Sequence, residues 1–190
     1  MKFNRIIALM LPAAILTFGF SGNRGIRDMV EWNESQKISW EDYKGKITDT
    51  SKITSSCCGI YCIPQVIGDS GIITIVAYFD RNKSWVSRKH SDSLLLIHEQ
   101  GHFDLTEVYA RKLRKKISSI RPAEENFSAE IKKFYSWAWD DLQKQHAAYD
   151  KATDHGAIDF AQRTWDKYID EHLNLYKNFS SSEVRIRVVN

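Results

Sequence analysis

The sequence lacks three features: a stripe of basic residues, internal repeats and low-complexity tracts. Its 190 residues carry a net charge of only +3, and without a basic stripe nucleic acid is not expected as a partner. Hydrophobic residues make up 43% of the chain and charged residues 27%, a balance that argues against disorder. The length is sufficient for one domain with a sizeable core.

Cysteine is scarce as well. The three cysteines, Cys57, Cys58 and Cys62, lie in one short stretch. Three cysteines without a nearby fourth ligand make a poor structural zinc site. Two interpretations stay open: one disulfide plus a free thiol in an oxidising compartment, or three small apolar residues in a strand.

The N-terminus has the pattern of a targeting segment. Lys2 and Arg5 precede an apolar stretch of 15 residues, and Gly19 and Ser21 supply small residues at a −3/−1 spacing. The pattern predicts a signal peptide over residues 1–21 and a secreted or periplasmic protein. The apolar stretch is short for a membrane span, although an uncleaved anchor stays open, and only then is a membrane expected as a partner. No cysteine lies near its end, so a lipid anchor is not supported.

Periodicity predicts an α+β fold, with a small antiparallel sheet followed by a motif-bearing helix and two long helices. Residues 22–35 are predicted to be a linker and residues 36–190 a single domain. Strands are expected at 37–43, 53–67 with a break near Pro64, 72–79 and 183–189, the second and third forming a hairpin. Helices are expected at 91–120, 123–150 and 158–178, the last with Phe160, Trp165 and Ile169 facing inward.

The most specific motif is His-Glu-x-x-His at residues 98–102, inside the first predicted helix. On a helix, His98 and His102 are separated by ~40° around the axis, so both rings can reach one Zn²⁺. Glu99 is placed to activate a zinc-bound water. The motif therefore predicts a zinc-dependent metallopeptidase that hydrolyses peptide bonds. An ordinary histidine pair on a buried helix is the alternative.

The third zinc ligand is not fixed by the motif, although catalytic zinc usually takes three protein ligands. Val108 stands where the metzincin pattern has its third histidine. Glu124 and Glu125 are near the spacing of a thermolysin-like glutamate, but carboxylates in a first helical turn also complement the helix dipole. His155 lies at a break between helices, where functional residues are frequent. The downstream candidates are Glu124, Glu125, Glu130, His146, Asp150, Asp154 and His155.

Three separated blocks resemble, in order, a family of bacterial secreted zinc-dependent proteases of otherwise unknown function, within the zincin group. The resemblance spans about residues 32–178. It implies a zincin-like metallopeptidase domain with His98 and His102 as zinc ligands and Glu99 as catalytic base. The Thr-x-His-Gly block makes His155 the preferred third ligand. The matching blocks are residues 38–45, residues 94–104, and a discontinuous block of Tyr149, Asp150, residues 153–156, Gln162 and Trp165.

Further roles follow as hypotheses from this mechanism. Tyr149 is a candidate extra donor to the oxyanion, and Asp150 or Asp104 could orient a ligand imidazole, although the helical wheel directs Asp104 away from the histidines. The strand at 72–79 is a candidate to pair with an extended peptide substrate. Two other functions use the same residues: a non-catalytic exported binding module, and a metal amidase acting on cell-wall peptide. The sequence does not indicate an oligomeric state.

Overall fold

The computed structural model describes residues 28–189, so the predicted signal peptide and the first part of the predicted linker lie outside it. The described residues form an α+β fold with small antiparallel sheets and three helices, as the sequence predicts. The strands are β1 (Met29–Glu31), β2 (Thr54–Ser55), β3 (Cys58–Ile67), β4 (Ser70–Asp80), β5 (Trp85–Val86) and β6 (Glu183–Arg187). The helices are α1 (Ser93–Ser118), α2 (Phe127–Thr153) and α3 (Asp159–Leu175).

The predicted hairpin is confirmed, and it forms the centre of the main sheet. β3 and β4 pair antiparallel from Cys58 opposite Phe79 to Ile67 opposite Ser70. A two-residue turn joins them, and Gly68 adopts a positive φ of 61° there, which only glycine does without strain. β4 also pairs with β1 and β6 along its other edge. Because both edges of β4 are occupied, the hypothesis that it binds a peptide by strand addition is wrong.

Three local predictions before residue 70 are corrected. β3 is continuous through Pro64 instead of breaking there, because among the described residues it pairs only with β4, and an edge strand tolerates proline. Residues 37–43 do not form a strand; they include a 3₁₀ turn at Trp40–Asp42. β1 lies inside the predicted linker, so ordered structure begins earlier than expected.

Helix α1 is the central helix, as its apolar surroundings predict. The Asp92 side chain caps it by accepting a hydrogen bond from the Leu95 backbone N–H at 2.8 Å. α1 contacts β3, β4 and β6 of the sheet, and also α2 and α3. Phe103, Leu105 and Val108 are fully buried in these contacts. The sheet and the two other helices therefore enclose the helix that carries the histidine motif.

Two further outcomes concern α3 and the cysteines. Phe160 is 76% exposed instead of facing inward, whereas Ile169 is buried as expected. The three cysteines are buried free thiols, so the disulfide is not formed. Burial raises the pKa of Cys57 to about 11 and that of Cys62 to about 12. Within residues 28–189, no helix has the length and apolar character needed to cross a membrane.

A buried ion network fixes the far half of α1. Glu107 accepts hydrogen bonds from Arg111 Nε at 2.9 Å and from Arg114 Nη1 at 2.8 Å. Arg114 also donates to the Ile75 carbonyl oxygen at 2.7 Å. Glu107, Arg111 and Arg114 are all at most 5% exposed. The network therefore ties α1 to β4 through charges that water does not screen.

Replacing Glu107 with alanine is expected to lower the free energy of unfolding by about 3–5 kcal/mol, because two buried guanidinium groups lose their counter-ion. Urea denaturation of the metal-free protein measures this change. The matched control is Glu171→Ala, which removes an exposed ion pair with Lys167 and should change stability by less than about 1 kcal/mol. Equal losses in the two variants would contradict a stabilising role for the buried network.

Candidate metal centre

The two motif histidines lie on the same side of α1 and face each other. Their rings are fully buried, and His98 Nε2 lies 3.2 Å from His102 Nε2. The four-residue spacing on a regular helix produces this approach. The structure therefore brings together the two ring nitrogens that the motif assigns to one metal ion.

Asp150, near the C-terminal end of α2, meets both histidines. Its Oδ1 is 3.1 Å from His98 Nε2 and 2.8 Å from His102 Nε2. The same oxygen is 3.3 Å from His155 Nδ1. One donor atom each from His98, Asp150 and His155 lies within 4.8 Å of the others, a spacing that suits a metal ion. Asp150, named from the sequence both as a candidate third ligand and as a residue that could orient a ligand, is at the middle of the cluster.

The turn between α2 and α3 positions His155. Asp154, His155 and Gly156 follow one another with positive φ values of 46°, 55° and 83°. Positive φ is uncommon for residues other than glycine, and such strain is frequent at functional sites. A Cβ atom on Gly156 would lie 2.9 Å from His98 Cβ. Glycine at position 156 therefore lets the turn approach α1 closely enough for His155 to reach Asp150.

Gln162 on α3 fixes the protonation of His98. Its amide nitrogen donates to the Tyr149 hydroxyl at 2.6 Å and to Asp166 Oδ1 at 2.7 Å. Because both amide hydrogens are used, the amide oxygen is what faces His98 Nδ1, at 3.2 Å. His98 Nδ1 must therefore carry a proton, and neutral His98 presents an unprotonated Nε2 to Asp150 and His102.

This convergence fits a metal ion. Lone pairs on His98 Nε2 and Asp150 Oδ1 would repel each other unless the ring is protonated or a cation lies between them. In tetrahedral zinc, with bonds of ~2.0–2.1 Å, neighbouring ligand atoms are about 3.3 Å apart. The three distances among His98, His102 and Asp150 are 2.8–3.2 Å. His155 Nδ1 is buried at an ion-pair distance of 3.3 Å from Asp150 and makes no hydrogen bond to residues 28–189.

The electrostatics favour an ionised Asp150 carboxylate and a neutral His146, the histidine that contacts His102. Burial opposes ionisation of Asp150, yet its histidine neighbours, His102 above all, hold its pKa well below the usual range. Burial would lower the pKa of His102, but the Asp150 carboxylate outweighs this and raises it. His102 Nδ1 is 2.8 Å from His146 Nδ1. Burial and the neighbouring His102 lower the pKa of His146 well below its ordinary value, so His146 is neutral.

Tyr149 does not have the geometry of an oxyanion donor. Its hydroxyl donates to the His98 backbone carbonyl oxygen at 3.2 Å and accepts from Gln162. A Cβ atom on Gly101 would collide with this hydroxyl. Tyr149 thus occupies the space that a side chain at position 101 would fill. Its ring stacks against the His98 ring, with the two centroids 4.5 Å apart, and supports it. The prediction that Tyr149 contacts the reacting atoms is corrected accordingly.

Several other candidates are remote from the cluster. Glu124, Glu125 and Glu130 lie at the opposite end of α2 from Asp150, roughly 30 Å away or more, since a helix rises 1.5 Å per residue. Asp104 accepts hydrogen bonds from Trp32, Lys37 and Gln100 and makes none to the histidines. This distance along α2 therefore excludes Glu124 and Glu125, the thermolysin-like candidates, as the third ligand.

Glu99 is fully buried on the sheet side of the same helix. Its Oε2 accepts a hydrogen bond from the Ser56 hydroxyl. Its Oε1 has no hydrogen-bond partner among residues 28–189. An unpaired oxygen on a buried carboxylate is costly and rare. Ser56, which the sequence did not suggest, therefore belongs to the surroundings of the motif.

A family described as "Bacterial protein of unknown function (DUF922)" matches residues 80–156. The match covers less than half of the chain. It runs from the end of β4 to Gly156, so it contains the motif, Asp150 and His155 but neither Ser56 nor Gln162. No curated protein and no solved structure matches the chain.

Replacing Gln162 with methionine is expected to weaken zinc binding by about 10–100-fold, because the proton on His98 Nδ1 loses its acceptor while side-chain volume is kept. Competition with a chromogenic chelator measures the affinity. Gln100→Met is the matched control, since Gln100 lies in the motif but its hydrogen-bond partners among residues 28–189 are Ile38 and Asp104, away from the histidines. A similar loss in both variants would indicate a general structural effect and contradict the role of Gln162.

Proposed function

We propose that this chain is an exported zinc-dependent metallopeptidase that hydrolyses peptide bonds. The observation that carries the proposal is the triangle of donor atoms from His98, His102 and Asp150, with sides of 2.8–3.2 Å. Its two histidines lie on α1, the helix that also carries Glu99. The bacterial family that matches this segment has an unknown function, so it neither supports nor contradicts a zincin-type protease assignment. Export is proposed from the signal-like pattern in residues 1–21.

In this proposal His98, His102 and Asp150 hold the ion, and His155 is the neighbouring group on the remaining side. A zinc ion held there would polarise the scissile carbonyl and lower the pKa of a water molecule. Glu99 would accept a proton from the attacking water and deliver it to the leaving amine. His155 Nδ1, which is buried without a hydrogen bond within the described part of the chain, would contact the substrate oxygen. The family resemblance favoured His155 as third ligand, whereas the shorter distances favour Asp150.

Two measurements on the purified mature protein test the proposal. Elemental analysis is expected to find one zinc per chain, and 1,10-phenanthroline is expected to abolish cleavage of unfolded casein, with activity returning when zinc is restored. Protein without metal, or cleavage that resists the chelator, would contradict the proposal. Peptidoglycan supplied as a second substrate separates a peptidase from a cell-wall amidase.

A non-catalytic module with a closed metal site is the second candidate. The burial of the motif favours it: His98, Glu99 and His102 are fully buried, and only Asp150 and His155 expose 15% and 19% of their side chains. If His155 were a fourth ligand, the site would be closed, as in structural zinc centres. X-ray absorption spectroscopy distinguishes the two, since the peptidase requires an exchangeable oxygen ligand in addition to the protein atoms.

A further inference from the structure

A chain of two hydroxyl groups leads to Glu99, in which Ser56 contacts the carboxylate and Tyr43 contacts Ser56. Ser56 follows β2, which is held by pairing with β5, and its hydroxyl contacts Glu99 Oε2. Tyr43 follows the 3₁₀ turn at Trp40–Asp42, and its hydroxyl lies 2.7 Å from Ser56 Oγ. All three side chains are buried. We name Tyr43 and Ser56 together the hydroxyl pair.

The direction of these hydrogen bonds follows from the chemistry of the groups. An ionised carboxylate can only accept, so Ser56 must donate to Glu99. Ser56 has one hydrogen, and Tyr43 must therefore donate to Ser56 Oγ. Burial, together with the nearby negative charge of Glu99, raises the pKa of Tyr43 well above its ordinary value, which keeps the phenol protonated and able to donate.

Through Ser56, the hydroxyl pair holds one of the two carboxylate oxygens of Glu99. Glu99 Oε2 is held, while Oε1 is buried and without a hydrogen-bond partner among the described residues. Leaving a buried carboxylate oxygen unpaired is destabilising. The arrangement leaves Oε1 as the single acceptor atom of Glu99 without a partner among the described residues.

We propose that Tyr43 and Ser56 are positioning residues for the Glu99 base, which hold Oε2 so that Oε1 alone accepts the proton. The inference rests on the proposed function. Both residues lie outside the segment that matches the bacterial family. They enter the site from the N-terminal part of the chain, and they act on the reaction through Glu99 without contacting the metal ligands.

Ser84 provides a matched control, which distinguishes a positioning role of Ser56 from a general effect on stability. Ser84 is as buried as Ser56 and also makes two hydrogen bonds, one to the Asp80 carbonyl oxygen at 2.7 Å and one from the Cys57 N–H at 2.9 Å. Both of its partners are backbone groups. Ser84→Ala is therefore expected to lower the unfolding midpoint without changing kcat per folded molecule.

The first arm of the test measures kcat, KM and zinc content with a quenched fluorescent casein peptide. Ser56→Ala is expected to lower kcat by about 10–100-fold, the value of a hydrogen bond to a charged group, while KM and zinc content stay unchanged. Ser56→Thr keeps the hydroxyl and should restore most of kcat. Tyr43→Phe should lower kcat less, because Ser56 keeps its own bond to Glu99.

The second arm does not depend on activity. Unfolding midpoints of the metal-free proteins are compared for Ser56→Ala in the wild-type background and in a Glu99→Met background. Since the hydroxyl bonds to the carboxylate, Ser56→Ala should shift the midpoint strongly in the wild type and much less beside methionine. Equal shifts in both backgrounds would overturn the contact and the proposal with it.

The outcomes of the two arms separate this inference from the proposed function. Two results together support the positioning role. Ser56→Ala shifts the unfolding midpoint more in the wild type than in the Glu99→Met background, and kcat falls in Ser56→Ala and Tyr43→Phe but not in Ser84→Ala. An unchanged kcat in Ser56→Ala, or an equal kcat loss in Ser84→Ala, overturns it. Wild-type protein that binds zinc but shows no chelator-sensitive hydrolysis defeats the proposed function, and the positioning role then falls because there is no base to position.

Discussion

Replacing Glu99 with glutamine is expected to lower peptide hydrolysis by about 10²–10⁴-fold, the usual contribution of a general base. Glutamine has nearly the same shape and can still accept the hydrogen bond from Ser56, but its amide cannot take up a proton at neutral pH. Zinc content should stay at the wild-type value, because Glu99 is not among the atoms of the donor triangle. Steady-state kinetics and elemental analysis of the same preparation measure both quantities.

Asp104→Asn is the control for this prediction, because Asp104 is a carboxylate on the same helix whose partners are Trp32, Lys37 and Gln100. Its kcat should stay within a few-fold of the wild-type value. A Glu99→Gln protein that binds zinc and keeps wild-type kcat would remove Glu99 from the mechanism. A Glu99→Gln protein that loses zinc would instead indicate that Glu99 supports the metal.

Replacing Asp150 with alanine is expected to weaken zinc binding by about 10³-fold or more. Loss of a residue that only supports a metal ligand typically weakens binding by about 10–100-fold. The larger effect is expected because Asp150 Oδ1 lies between the ring nitrogens of His98 and His102 and carries the negative charge of the cluster. His155→Ala should weaken binding less, because His155 is 3.3 Å from Asp150 and is assigned to the substrate side. Competition titrations with a chelator of known affinity measure both.

The control for these titrations is Asp140→Ala, since Asp140 is an exposed carboxylate on the same helix α2. Its zinc affinity should equal that of the wild type. If His155→Ala loses zinc as completely as Asp150→Ala, His155 is a ligand, and the closed-site alternative gains support. If Asp150→Ala retains full affinity, the third ligand is His155, as the family resemblance implies.

Local patterns were sufficient to predict the framework of this protein. Hydrophobic periodicity predicts α1 closely, at 91–120 against the observed Ser93–Ser118, because this signal lies within the helix itself. The hairpin follows from two β-branched segments around Gly68. The spacing of His98 and His102 predicts their approach, since helix geometry alone determines it. In each case the information lies within one element.

The composition of the cluster depends on contacts between elements, which local patterns do not encode. Asp150 contacts α1 from within α2, whereas His155, five residues later, reaches the cluster only through the left-handed turn that begins at Asp154. That conformation is rare outside glycine, so only Gly156 gave a hint of it. Ser56 is an unremarkable serine in sequence, and no pattern links it to Glu99, 43 residues later. Gln162 appeared in the family resemblance, which was the available signal for its role.

The donor atoms come from α1, from the end of α2 and from the turn that starts α3, while α3 itself contributes Gln162. An ion bound among them would therefore add a link between three helices that packing and hydrogen bonds already join, and its affinity would add to the stability of their arrangement. Ligand binding to a folded protein stabilises it by about 2.7 kcal/mol when the free ligand is 100-fold above its dissociation constant. If the site holds zinc as proposed, the free zinc concentration would therefore also affect the fraction of the protein that is folded.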